Sequence, residues 1–173
     1  MLTKINIIKI ISDHLLTLQD YRTKKTSSKD ILLFYLLPVL ISAFLVATEF
    51  KLKEGLVEIL ITSFSIFTAL LFNLLLLTFD IVREKLELTP GKENKDKLYY
   101  EIKKDLLKQA YANISYSIFV SILGLLFLLL SQIEMCLLCK TILCGIIYFI
   151  CFNFILTLFL ILTRIHTLLS NEF

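Results

Sequence analysis

Glycine, histidine and tryptophan are scarce in this chain, which has four glycines, two histidines and no tryptophan. With so few glycines, no glycine-rich loop that could hold a phosphate occurs. No Ser-His-Asp pattern, paired carboxylate motif or set of metal ligands accompanies His14 or His166. We therefore expect neither an enzyme nor a bound cofactor or metal.

Charged residues are missing from four long apolar stretches, residues 31–48, 59–79, 110–133 and 141–163. A helix that crosses a bilayer needs about 20 such residues, because each rises about 1.5 Å against roughly 30 Å of hydrocarbon. A soluble helical bundle would need an aqueous face, which these stretches lack. The predicted fold class is an all-α integral membrane protein, with an antiparallel bundle of four transmembrane helices in residues 31–173.

The basic residues are distributed unequally about these stretches. Six precede the first stretch, eight lie in the loop of residues 80–109, and Arg164 follows the last stretch. The two other loops contain only Lys51, Lys53 and Lys140. Because positive residues stay cytoplasmic, we expect a multi-pass protein of the plasma (inner) membrane with both termini in the cytosol. The bias toward Lys, Ile, Leu, Phe and Asn suggests a bacterial gene.

Two segments outside the stretches have helical periodicity. Within residues 1–30, apolar residues from Leu2 to Leu18 recur at helical spacing, which predicts an amphipathic N-terminal helix followed by a polar linker. This helix is expected either to lie in the membrane interface or to dock against the bundle or a neighbouring subunit.

The central loop, residues 80–109, is predicted to be a cytoplasmic helical hairpin that extends the second and third transmembrane helices. Thr89-Pro90-Gly91 interrupts it, and Leu98, Ile102 and Leu106 then form an apolar stripe suited to a protein partner. Its basic and acidic residues nearly balance, which suits a solvated stalk better than a nucleic-acid surface.

Polar residues recur on one face of three of the predicted transmembrane helices. They are Thr62, Ser65 and Asn73 in the second, Asn113, Ser117 and Ser121 in the third, and Asn153 and Thr157 in the fourth. Such residues commonly mark contacts between helices, where they form hydrogen bonds across the interface. The alternative is the lining of a water-filled path within one bundle or around an oligomer axis.

Charged and thiol groups mark the ends of the predicted helices. Asp80 and Arg164 both fall at the cytoplasmic boundary, where they are predicted to form an ion pair or to face headgroups and water separately. Cys136 and Cys139 form a C-x-x-C motif at the outer end. They are interpreted as ordinary apolar cysteines, as a possible disulfide in an oxidising exterior or, less favoured, as part of a zinc site. Pro38 removes a backbone donor inside the first stretch and is expected to kink that helix.

These patterns favour a non-enzymatic membrane subunit that forms homo-oligomers and presents cytoplasmic helices to a soluble partner. The alternative hypothesis is a homo-oligomeric pore or a membrane-perturbing effector. In helix number and size the chain resembles small tetraspan membrane subunits of bacterial systems, including some antiphage defence operons. That resemblance implies a subunit role in a defence or signalling system.

Overall fold

The computed structural model describes residues 6–18, 31–48, 52–87 and 94–170, with the backbone alone for 82–87, 94–100, 102 and 169. This part of the chain is helical apart from caps and turns and contains no strand. Its helices are α1 (Ile7–Thr17), a π-helical turn (Leu32–Leu36) that continues into α2 (Leu37–Ala47), α3 (Glu54–Glu87), α4 (Asn94–Leu130) and α5 (Leu137–Ser170).

Three of the helices are long and apolar enough to cross a membrane. Their apolar portions are Glu54–Ile81, Lys103–Leu130 and Leu137–Leu168, each longer than the stretch that the sequence predicts. The predicted third stretch ends too late, since residues 131–133 form a turn after α4. The apolar helix Leu32–Ala47 is shorter than the other three. The chain is therefore a membrane-associated, all-helical protein.

Pairs of contacts show that neighbouring helices run antiparallel. The Asn153 amide reaches the Phe34 carbonyl, whereas Gly145, earlier in α5, lies beside Val46, later in α2. Likewise, the Thr68 and Ser121 hydroxyls are 2.7 Å apart, and α3 and α4 meet again where the Phe64 ring lies against Gly124. α4 and α5 are antiparallel as well, because Tyr116 contacts Asn153 and Gly124 lies against Ile150.

Glycine at position 124 allows α3, α4 and α5 to approach one another. A Cβ atom there would lie 3.1 Å from the Phe64 ring and 3.2 Å from Ile150 Cγ2, closer than side chains normally pack. The core around this point consists of aliphatic and aromatic side chains, including Leu71, Ile114, Leu128, Ile147 and Phe154.

The three long helices are not equally covered by the bundle. α4 is central, and half of the residues in its most apolar part are buried. The corresponding share is 39% in α5 and only 11% in α3. α3 therefore lies at one edge of the bundle, and most of its surface contacts no other described helix.

Candidate functional site, a buried polar cluster under the N-terminal helix

α1 turns a mixed face toward the bundle, in which the polar residues His14 and Thr17 lie beside Ile10 and Ile11. His14 and Thr17 are buried, His14 completely, while Ile8 and Leu16 on other faces of the helix are exposed. The helix begins at Asn6, whose side chain accepts a hydrogen bond from the Lys9 backbone N–H at 3.0 Å. α1 packs against α4.

His14 is fixed by two contacts with α4. Its ring stacks on the Tyr116 ring, with centroids 3.8 Å apart and planes 1° from parallel. Its Nδ1 lies 2.8 Å from Asn113 Oδ1, an acceptor, so Nδ1 holds the proton and donates. Thr17 Oγ1 lies 2.7 Å from the His14 carbonyl oxygen and 2.8 Å from Asn113 Oδ1, and its single proton serves one of these acceptors at a time.

Asn153 links three helical elements at the centre of the bundle. Its Oδ1 accepts the Tyr116 hydroxyl proton at 3.0 Å, and its Nδ2 donates to the Phe34 carbonyl oxygen at 3.0 Å. Tyr35 adds a further hydrogen bond to Tyr116. We define the buried polar cluster as His14, Thr17, Asn113, Tyr116 and Asn153.

Pro38 explains why the Phe34 carbonyl needs a side-chain donor. In an α-helix the N–H of residue 38 would donate to the carbonyl of residue 34, but proline has no N–H. The preceding residues, Leu32–Leu36, form a π-helical turn instead, and the Leu37 N–H donates to the Leu32 carbonyl. Asn153 thus supplies to Phe34 the donor that Pro38 removes. Such turns are often found at functional sites.

Burial sets the protonation state of the cluster. Removal of the imidazole from water lowers the pKa of His14 below its ordinary value of 6.5, and the hydrogen bond to Asn113 only partly opposes this effect. Among the described residues, His14 Nε2, Asn113 Nδ2 and Ser117 Oγ are buried without a hydrogen-bond partner. A neutral imidazole with a free, buried nitrogen is therefore held against α4.

The sequence-predicted polar residues divide between the inside and the outside of the bundle. Those of α4 and α5 are buried: Asn113, Ser117, Ser121, Asn153 and Thr157. Those of α3 are exposed: Thr62, Ser65 and Asn73. Within one protomer the three predicted faces therefore do not line a common path.

The boundary charges and the predicted stalk are only partly described. Arg164 is half-buried, and its Nη2 donates to the Thr17 carbonyl oxygen at 3.4 Å, which connects α5 to α1. Asp80 is exposed on α3, and its ion pair with Arg164 stays a prediction. Leu106 is half-buried in α4, whereas the side chains of Leu98 and Ile102 lie outside the described residues.

The described residues suggest no metal centre, because no three His, Cys, Asp or Glu side chains come together in them. Cys136 and Cys139 are exposed free thiols whose sulfur atoms are 2.9 Å apart.

Sequence periodicity did not identify His14 as a site residue, because what distinguishes it is a contact with Asn113, 99 residues away in the chain.

Comparison with protein-family models, with characterised proteins and with solved structures finds no match to this chain.

Proposed function

We propose that this chain is a non-enzymatic, four-span subunit of the plasma (inner) membrane that forms homo-oligomers through the outer face of α3. In this proposal, the cytoplasmic ends of α3 and α4 form a helical hairpin that binds a soluble protein. Both termini are cytoplasmic, in agreement with the position of the basic residues.

The antiparallel contacts support a fourth span. The π-helical turn and α2 run against α5 from Phe34, beside Asn153, to Val46, beside Gly145. Leu168 ends the apolar part of α5, about 20 Å beyond Asn153 on the cytoplasmic side. α1 occupies this level, because its Thr17 reaches Arg164. In our proposal α1 rests in the cytoplasmic leaflet with His14 and Thr17 on the bundle and its exposed Ile8 and Leu16 toward lipid.

The observation that carries the oligomer is the outward polar face of α3. Thr62, Ser65 and Asn73 are all exposed, whereas Phe64 and Leu71 face the core. The two hydroxyls bond to carbonyls of their own helix, Thr62 to Glu58 and Ser65 to Ile61. No hydrogen bond links the Asn73 amide to another described residue.

An unpaired amide in the hydrocarbon region is unfavourable by several kcal/mol in the least polar reference solvents, or about 1–3 kcal/mol by protein mutational data. Asn73 lies eight residues, about 12 Å, from the cytoplasmic end of the apolar part of α3 at Ile81. An asparagine side chain both donates and accepts, so two copies related by symmetry satisfy each other. Because α3 is also the least covered helix, a second copy of the chain fits this face.

Replacing Asn73 by leucine is expected to weaken self-association roughly 3- to 20-fold, since hydrogen bonds between membrane helices contribute about 0.6 kcal/mol on average and up to about 1.7 kcal/mol. Ser65→Ala is the matched control on the same face, because the Ser65 hydroxyl is already satisfied within its helix. Dissociation constants would be measured by single-molecule photobleaching or energy transfer in lipid vesicles. Equal constants for the wild type and Asn73→Leu would contradict the interface.

The proposed partner site lies where α3 and α4 extend beyond their uncharged stretches. α3 continues from Phe79 to Glu87, and α4 begins at Asn94, 16 residues before Ala110. These extensions amount to about 12 and 24 Å of helix.

Replacing Leu98, Ile102 and Leu106 together by serine is expected to abolish capture of the soluble partner, because it removes the apolar stripe while charges and length are kept. Affinity purification from native membranes with quantitative mass spectrometry would measure this. Glu101→Gln, on an exposed side chain, is the control. Undiminished co-purification of a stoichiometric protein with the triple variant would contradict the partner role, and unchanged oligomeric state would show that the variant folds.

A pore is the second candidate, and one observation favours it. Glu58 and Asp80 are exposed near the two ends of the same α3 face, so several α3 helices around an axis would place acidic rings at both mouths of a polar path. In this case reconstituted vesicles would leak cations, and Asn73→Leu would alter the leak. Sealed vesicles containing the intact oligomer would exclude the pore and leave the subunit.

A further inference from the structure

Two thiols lie close together at the end of the bundle opposite α1. Cys136 precedes the first turn of α5, since its carbonyl oxygen accepts the Lys140 backbone N–H at 3.0 Å, and Cys139 lies within that turn. Their sulfur atoms are 2.9 Å apart and both residues are exposed. Cys144 and Cys151 are half-buried farther along α5.

The position of Cys136 favours its thiolate. It stands at the N-terminus of a helix of 34 residues, where unpaired backbone N–H groups and the helix dipole stabilise negative charge. Hydrogen bonding to the Cys139 thiol and to nearby backbone groups lowers the pKa of Cys136 below its ordinary value of 9.0. A cysteine in this setting is a competent nucleophile, and a second thiol in the same turn is close enough to react with it.

We propose that Cys136 and Cys139 form a reversible dithiol–disulfide pair that reduces an external disulfide. The Cys136 thiolate attacks one sulfur of the substrate, the substrate S–S bond breaks, and the departing thiolate takes up a proton. Cys139 then loses its proton and attacks the Cys136 sulfur of the mixed disulfide. The bond between Cys136 and the substrate breaks, and the second substrate thiolate leaves and takes up a proton. The substrate thus gains two electrons and two protons, and the chain holds a Cys136–Cys139 disulfide. This inference does not depend on oligomer formation or on the soluble partner.

Reaction of the full-length protein in lipid nanodiscs with oxidised glutathione tests the pair, with intact mass and alkylation as the readout. The wild type is expected to finish as an internal disulfide without attached glutathione and to reopen with reduced glutathione. Cys139→Ser is expected to retain one glutathione, and Cys136→Ser to react roughly tenfold more slowly at neutral pH. Cys144→Ser, at a half-buried position, is the control and should behave as the wild type.

Three results would overturn the proposal: wild-type protein that retains glutathione, a Cys136→Ser variant that reacts as fast as the wild type, or a disulfide that reduced glutathione does not reopen. The last result would indicate a structural cross-link. Recovery of Cys139→Ser from cells under oxidising conditions distinguishes the natural substrates. A glutathione adduct or a protein adduct supports the proposal and identifies the disulfide source, whereas recovery of only the free thiol contradicts it.

Discussion

Replacing Asn153 by leucine is expected to lower the free energy of unfolding by about 2–4 kcal/mol, because it removes two buried hydrogen bonds at once. The Tyr116 hydroxyl keeps only its hydrogen bond with Tyr35, and the Phe34 carbonyl loses the donor that stands in for the missing N–H of Pro38. Leucine has the same branching as asparagine but a larger volume, so it leaves no cavity, and strain from overpacking adds to the loss of hydrogen bonds. Unfolding in mixed micelles, or steric trapping in bicelles, would measure the change.

Two further variants separate the contributions. Tyr116→Phe removes only the hydroxyl and is expected to cost about 1 kcal/mol. Pro38→Ala restores a backbone N–H beside the Phe34 carbonyl. In the Asn153→Leu variant this substitution should raise the free energy of unfolding by about 1 kcal/mol more than it does in the wild type. Additive effects of Pro38→Ala and Asn153→Leu would contradict the view that Asn153 compensates for the proline.

Acidification is expected to release α1 from the bundle. The docked His14 has a lowered pKa, whereas the undocked imidazole titrates near its ordinary value of 6.5, so protons bind preferentially to the undocked state. Docking is therefore at full strength above pH 6.5. It loses about 1.4 kcal/mol for each unit below this value until the pH passes the lowered pKa. Protonation also places a proton on His14 Nε2, which has no hydrogen-bond acceptor among the described residues, so the charged ring is disfavoured in the docked position.

Hydrogen–deuterium exchange of residues 6–18 at pH 7.5 and 5.5 would measure this release in nanodiscs. After correction for intrinsic exchange rates, α1 amides should exchange faster at the lower pH, by at most about tenfold, while amides of α4 stay protected. His14→Gln removes the titration and is the control. An equal response of the wild type and His14→Gln to acid would assign the effect to groups other than His14.

The sequence was sufficient to predict an all-helical membrane protein, because the absence of charge over long stretches has few other physical explanations. It also located the missing donor at Pro38. It could not identify the compensating group, since the Asn153 amide is brought to Phe34 by the packing of two helices 119 residues apart in the chain. Tertiary contacts of this kind leave no periodic signal in a single sequence.

Periodicity also could not assign the direction of each polar face. The stripes of α3 and α4 have similar spacing, yet Asn113 and Ser117 face inward while Asn73 faces outward. The difference arises from position in the bundle, because α4 is covered on several sides and α3 on one. For α1, the sequence left contact with lipid and docking on the bundle open as alternatives, and the structure buries a mixed face that contains His14 and Thr17 as well as Leu18.

The long separation between α1 and its partners in the chain also sets an order of assembly. α1 leaves the ribosome before α4 and α5, because Asn113 follows His14 by 99 residues and Arg164 follows Thr17 by 147. At a synthesis rate of about 5–20 residues per second, roughly 5 to 30 s pass between the synthesis of α1 and that of its binding surface on α4 and α5. Through that interval the membrane surface is the environment that its exposed apolar residues favour, so α1 is expected to dock only after the helices that it contacts have been synthesised.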